Sequence, residues 1–254
     1  MILDSIPPSK WVLRPKPNPK ARLRLICFPN SGSGPVIFYK WPSYLPPEVE
    51  LWGIRLPGRE TRISEPAYTQ LPELVERTAE VLQPYLDRPY ALFGHSLGAL
   101  TSYELAHHFQ KLGLSQPVHL LLSGHRAPHR PPLNPPYHQT EDKVFLEHLR
   151  QFNGTPDAIL QNEELIKLML PGLRADFTVW ETYTYNNHPP LDCPMSIFGS
   201  FGDPEATAFD FEAWREHTSG PFTLRMFDGG HFYFQNDLAS FLQIISETLQ
   251  PHLL

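Results

Sequence analysis

The stretch Pro89-Tyr90-Ala91-Leu92-Phe93-Gly94-His95-Ser96-Leu97-Gly98 decides the fold. Its first half is a short apolar run opened by proline, which reads as a buried strand over Tyr90–Phe93. Its second half is a G-x-S-x-G pattern, and Leu97–Leu112 beyond it carries a helical pattern that closes at Gly113. Short patterns of this kind also arise by chance, so the weight rests on the frame. Strand, sharp turn and helix in that order are what holds a serine on a strained elbow at the top of a sheet. The turn forces unusual backbone angles at Ser96, so its neighbours must lack bulk, and Gly94 and Gly98 supply that.

Working outward, apolar β-rich runs alternate with helical patterns. The spacing predicts strands at Leu23–Phe28, Val49–Arg55, Val118–Ser123, Met195–Gly199 and Phe222–Phe227. It predicts helices at Gly34–Tyr44, Leu71–Leu86, Ala206–His217 and Asp237–Gln250. Continuous apolar strands separated by helices imply one α/β domain over 1–254: a mostly parallel sheet with helices on both faces. Right-handed crossovers then bring the C-terminal end of every strand to one edge, where ligands bind.

One interval breaks the alternation. Between Ser123 and Met195 lie about seventy residues without a convincing strand, too many for an idle loop. Thr140–Phe152 and Asn162–Leu170 read as amphipathic helices, with Phe145, Leu149 and Phe152 at helical spacing. Pro171–Tyr185 adds Phe177, Trp180, Tyr183 and Tyr185. Residues 131–185 are expected to form an inserted helical lid, with Phe145, Phe177 and Trp180, and Phe232 beyond it, as substrate-pocket candidates. The competing expectation is that these helices pack as part of the sheet layer. The proline run before them favours a lid on a stiff hinge.

Composition excludes several classes. Hydrophobic residues are 41% and charged residues 19%, a globular composition. The net charge of −6 gives no overall basic field for nucleic acid or an anionic membrane. Met1–Pro8 lacks a basic segment followed by an apolar one, and no apolar stretch approaches membrane-span length, so a cytoplasmic enzyme is expected. Cys27 and Cys193 sit far apart in apolar runs and read as buried free thiols. The 29 prolines, about twice the usual share, cluster where loops are expected.

A serine hydroxyl is a poor nucleophile until a base takes its proton. Twelve histidines compete for that role. His107, His108 and His148 fall in helical stretches, His119 in a strand and His252 in the tail. His231 alone follows the last strand directly, on Asp228-Gly229-Gly230-His231, from which it can reach a serine at the sheet edge. The third member should be an acid that fixes the imidazole tautomer, in the chain order serine, acid, histidine. Asp203, in the loop after Met195–Gly199, fits; Asp228 is the competitor. An oxyanion hole needs backbone N–H groups from the residue after the nucleophile and from the loop after the first core strand. These are Leu97 and, in Pro29-Asn30-Ser31-Gly32-Ser33-Gly34, Ser31, with Asn30 as the alternative. The same loop lacks the G-x-x-x-x-G-K-[ST] pattern of a phosphate-binding turn.

Taken together, Cys27-Phe28-Pro29, Leu56-Pro57-Gly58-Arg59, the elbow, Leu173-Arg174-Ala175-Asp176-Phe177 with Glu181 and Tyr183, Gly202-Asp203-Pro204-Glu205 and Gly229-Gly230-His231-Phe232 make the chain resemble the type II thioesterases that accompany nonribosomal peptide and polyketide synthases. The resemblance covers nearly the whole chain and implies the α/β-hydrolase fold. It also implies Ser96, Asp203 and His231 as a triad. It implies hydrolysis of acyl groups from the phosphopantetheine arm of an acyl or peptidyl carrier protein on a modular synthase, with no metal and no dissociable cofactor. The chain departs from the family at Asn30, Ser31, Gly32 and Ser33, where an aromatic, Ala and Gly-Gly often follow Phe-Pro, and at Asp228, where Pro often stands. Three other readings stay open: a medium-chain acyl-carrier-protein thioesterase of fatty acid synthesis, a lipase or carboxylesterase, and a non-catalytic carrier-protein binding module. Two basic groupings could meet an acidic carrier: Lys16, Lys20, Arg22 and Arg24, or His125, Arg126, His129 and Arg130. The second, just past a strand end, is the expected docking face.

Overall fold

A computed structural model describes residues 10–152, 154 and 160–253. Met1–Pro8 and residues 153 and 155–159 of the expected insertion lie outside the described residues. Seven strands form one sheet: β1 (Val12–Leu13), β2 (Leu23–Phe28), β3 (Val49–Ile54), β4 (Tyr90–His95), β5 (His119–Ser123), β6 (Met195–Ser200) and β7 (Phe222–Phe227). Their spatial order is β1-β3-β2-β4-β5-β6-β7, and only β1 runs antiparallel.

The alternation of side chains across a strand fills two cores. One face of the sheet, with Ile26, Leu92, Leu120 and Ile197, packs under α1 (Leu71–Leu82) and α2 (Leu97–Lys111). The other, with Leu25, Cys27, Phe93, Leu121 and Phe198, packs against Phe241, Leu242 and Ile245 of α6 (Leu238–Leu249). Strands buried on both faces explain why β2 to β6 read as continuous apolar runs. β7 is an edge strand and is only half-buried, alternating with exposed residues. Cys27 and Cys193 are buried and free.

Between β5 and β6 stand α3 (Asp142–Phe152) and α4 (Glu163–Glu181). Phe145, Leu149, Leu173 and Phe177 make a third cluster, separate from the two sheet cores. A short α5 (Ala208–Glu212), opened by a capping box between Thr207 and Asp210, follows β6.

Several boundaries differ from the sequence expectation. Gly34–Tyr44 is not a helix but two 3₁₀ turns, Pro35–Phe38 and Trp41–Ser43, each opened by a proline near its start that provides no N–H for a longer ladder. The helices expected at Leu71–Leu86 and Ala206–His217 likewise finish as 3₁₀ turns at Gln83–Tyr85 and Ala213–His217. The helix expected to end at Leu170 runs on to Glu181 straight through Pro171. An interior proline costs about 3 kcal/mol. The residues after it offset this cost: Leu173, Asp176, Phe177 and Val179 are all buried.

Candidate active site

The parallel register sets the ends of β2, β4, β5 and β6 side by side, pairing Phe28 with Gly94, His95 with Ser123 and Ser123 with Phe198. Ser96 caps α2 at that edge with φ +57° and ψ −121°, a strained conformation for a residue with a side chain. Its N–H donates to Ser123 O (2.8 Å), which pins the elbow to β5. The flanking glycines are required by contact. A Cβ on Gly94 would sit 2.0 Å from Gly98 O, and one on Gly98 would sit 2.2 Å from Phe28 O.

His231 reaches the same edge from the loop after β7. Two hydrogen bonds tie that loop to the one after β6: Gly202 N to Gly229 O (3.1 Å) and Ser200 Oγ to Gly230 O (2.8 Å). The tie brings His231 Nδ1 to 2.8 Å from Asp203 Oδ2, with both side chains buried. Asp203 Oδ1 accepts the Glu205 N–H (3.0 Å). Asp228 is exposed and makes no bond to His231. Ser96 and His231 line one cavity of about 190 Å³, without a hydrogen bond between them.

The histidine beside Ser96 has a different environment. His95 is fully buried, with Nδ1 2.9 Å from Ser123 Oγ, which in turn lies 2.7 Å from Tyr233 Oη. Burial, followed by the nearby His231 and His125, holds its pKa well below the usual histidine range. A neutral ring therefore packs 4.8 Å from the His231 ring, and Phe152 and Phe232 stand edge-on to His231 at 5.0 and 5.1 Å. Gly124 is small because a Cβ there would meet His95 Cε1 at 2.4 Å.

The loop after β2 is held from the far side. Arg59 donates two hydrogen bonds to Asp176 of α4 (2.8 and 2.7 Å) and a third to Ser33 O (3.2 Å). Asp176 Oδ2 also accepts the Gly32 N–H (2.7 Å). Gly32 N–H is thereby committed, whereas among the described residues the Ser31 and Leu97 N–H groups have no such partner. Ser31 Oγ is buried without a partner.

The cavity takes its apolar wall from Leu149, Phe152, Met169, Leu173, Phe177 and Trp180. Of the four expected pocket residues, Phe177, Trp180 and Phe232 line it, and Phe145 does not. Phe145 is fully buried behind Phe177, with ring centroids 4.9 Å apart, because its side of α3 faces α4. Sequence reasoning passed over Phe152, Met169, Arg126 and Glu205 as lining residues; only Phe152 carried a signal, its helical spacing with Phe145 and Leu149. Of the expected docking face, His129 and Arg130 are partly exposed and the other two residues are not. His125 and Arg126 are each only 9% exposed and belong to the cavity wall, and Arg130 is paired with Asp210 (3.0 Å). Gly124, just before His125 and Arg126, has the left-handed φ of +62°. Among the described residues no cluster of His, Cys, Asp or Glu has the arrangement of a metal site, and no helix is long and apolar enough to cross a membrane.

A family model described as "Thioesterase domain" matches residues 23–249. The chain is 40% identical to the linear gramicidin dehydrogenase LgrE of Brevibacillus parabrevis, over 98% of this chain and 95% of that protein. It is 36% identical to the thioesterase PikA5 of Streptomyces venezuelae, over 94% and 85% of the two chains. Among solved structures, the type II thioesterase BorB from the borrelidin biosynthetic cluster superimposes with a TM-score of 0.86, at 36% identity, over 96% and 98% of the two chains. The dehydrogenase label has no counterpart in the Gly32-Ser33-Gly34 loop here: Ile37 stands where a dinucleotide-binding turn needs its third glycine.

Proposed function

The chain belongs to the thioesterase family, alongside the type II enzymes of nonribosomal peptide and polyketide synthesis, and from that premise we propose that it clears acyl and aminoacyl groups from the phosphopantetheine arm of carrier proteins by way of a Ser96 ester. His231 takes the Ser96 proton as Oγ attacks the thioester carbonyl. The carbonyl oxygen becomes an oxyanion held by the Leu97 and Ser31 N–H groups. The carbon–sulfur bond breaks, and the proton on His231 passes to the departing thiolate. Thiols have pKa near 8.5, so this leaving group departs readily. Water, deprotonated by His231, then attacks the Ser96 ester; the acyl–Oγ bond breaks, His231 returns the proton to Ser96 Oγ, and the free acid leaves. Asp203 fixes His231 in the tautomer with hydrogen on Nδ1 and stabilises the imidazolium.

The observation that carries this reading is the 2.8 Å His231–Asp203 pair on the same cavity as the strained Ser96. A Ser96–His231 hydrogen bond is of the kind that tightens in the complex with substrate. Residues 131–185 are read as a lid over the acyl group, because α3 and α4 supply the apolar wall of the cavity. A cytoplasmic place beside a modular synthase fits the carrier-bound substrate. The decisive experiment loads carrier proteins with acetyl, alanyl and octanoyl groups and follows release by mass spectrometry. A mass increment of the acyl group on a peptide containing Ser96 is expected. Release that continues in Ser96→Ala at the parent rate would refute the mechanism.

A further inference from the structure

The cavity that holds Ser96 is not wholly apolar. It also takes Glu205 and Arg126 into its wall. Glu205 is 7% exposed. Its Oε1 accepts from Asn134 Nδ2 (3.0 Å) and lies 3.6 Å from His148 Nε2, while Oε2 is shielded from solvent and accepts nothing. Arg126 acts on it only through its charge and gives it no hydrogen bond. That guanidinium donates from Nε to Arg130 O (3.2 Å) and lies over the Trp180 ring at 5.7 Å.

A carboxylate oxygen out of water and without a donor is costly. Burial accordingly raises the Glu205 pKa, with Asn134 and Arg126 opposing. A plain hydrocarbon chain in the cavity would bring the Glu205 carboxylate no further donor. A donor on the substrate would satisfy it, and a cationic donor would offset the buried charge best. The position suits a group close to the reacting carbonyl. Glu205 lies two residues beyond Asp203, and its own N–H holds Asp203 Oδ1 (3.0 Å), so the side chain is fixed beside the His231–Asp203 pair.

We propose that Glu205 determines specificity by accepting a hydrogen bond from an ammonium group on the acyl unit, so that the site favours aminoacyl over plain acyl thioesters. The identity of the ligand rests on the thioesterase reading above; the recognition itself does not require turnover.

The test therefore separates binding from chemistry. Two pantetheine ligands are made in which an amide replaces the thioester, one alanyl and one isobutyryl, so that an ammonium is exchanged for a methyl at constant shape. Their dissociation constants are measured by calorimetry on the full chain and on Glu205→Gln, which keeps an oxygen for Asn134. The parent should bind the alanyl ligand about tenfold or more tightly than the isobutyryl one, the discrimination expected of a buried polar group left unpaired by the wrong ligand. Glu205→Gln should reduce that ratio to within about threefold, and Glu205→Asp should give an intermediate ratio. A parent ratio near one overturns the proposal. So does an unchanged ratio in Glu205→Gln with both ligands weakened together, which would mark Glu205 as a brace for Asn134 and Asp203 only. If the parent prefers the alanyl ligand yet releases neither group from the true thioesters, recognition by Glu205 stands and the hydrolytic reading fails.

Discussion

Asp176, on α4, accepts the backbone N–H of Gly32 at 2.7 Å, so the helix that walls the acyl cavity also holds the loop proposed to bind the oxyanion. Arg59 completes the arrangement with two hydrogen bonds to the same carboxylate. Removing one partner strands the other charge in the interior, so Asp176→Ala should cost about 3–5 kcal/mol of stability. Replacing both, as Arg59→Met with Asp176→Leu, should recover most of that stability. It should not recover turnover, which we expect to stay about tenfold to a hundredfold below the parent in kcat, because Gly32 and with it Ser31 are released. Urea midpoints and kcat on the three proteins decide the matter. Recovery of both together would reduce the pair to a structural brace.

For the nucleophile, Ser96→Ala should lower turnover by roughly four to six powers of ten, the range for disabling such triads. Steady-state release from acyl-carrier protein measures it, with circular dichroism to show that the fold is kept.

The two acids can be ranked. Asp203 holds His231 at 2.8 Å, whereas Asp228 is exposed. Asp203→Asn should lose about 10⁴-fold in kcat through the wrong tautomer, and Asp228→Asn should lose almost nothing. The opposite order would move the orienting role to Asp228.

Chain-length selection should reside in the wall from α3 and α4. Met169→Asp places a charge on the apolar side of the cavity. Each buried methylene contributes about 0.8 kcal/mol, so kcat/KM for octanoyl should fall well below that for acetyl. Equal losses for the two acyl groups would indicate damage to the fold.

Buried histidines make acid stability predictable in sign. Burial pushes His107 down to about 3 and both His119 and His217 down to about 4. In the unfolded chain the same rings titrate near 6.5. Below that value the unfolded state binds more protons than the folded one, so stability is full above pH 6.5 and falls as the pH drops towards 4. The slope contributed by each such ring approaches about 1.4 kcal/mol per pH unit. His107→Gln should flatten the dependence of the urea midpoint on pH between 6.5 and 4; an unaltered curve would show that this ring is already protonated in the folded state.

The parts of this architecture that were legible before the structure share one property: they are written in local order. The strand–turn–helix around Ser96 is contiguous, and the loops carrying Asp203 and His231 each follow a recognisable apolar strand. What was illegible depends on contacts between distant segments. Pro171 reads as a helix end, and only the burial of Asp176 and Phe177 against other elements keeps the helix going. Arg126 reads as a surface cation because its neighbours in sequence are basic; its burial in the cavity wall leaves no mark in hydropathy. Phe145 and Phe152 are equivalent on the helical pattern of α3, yet one packs behind Phe177 and the other against His231, a difference set by where α4 lies. Ser31 is proposed from its place after β2, but the bond that occupies the neighbouring Gly32 N–H, to Asp176, spans 144 positions.

The contacts of Gly94 and Gly98 bear on how this site can change over evolutionary time. The atoms that forbid a side chain at either position are backbone atoms: Gly98 O for the first, Phe28 O for the second. Backbone cannot be trimmed by a compensating mutation elsewhere, so no second substitution opens room for alanine at either place. Ser96 itself is under no such steric veto, since its strained φ and ψ already accommodate a Cβ. Of these three positions, Ser96 is therefore the one whose side chain can be exchanged without such a backbone clash. On the mechanism proposed above, a lineage can lose its chemistry by one change at position 96 and keep the scaffold, whereas a change at either glycine removes scaffold and chemistry in the same step.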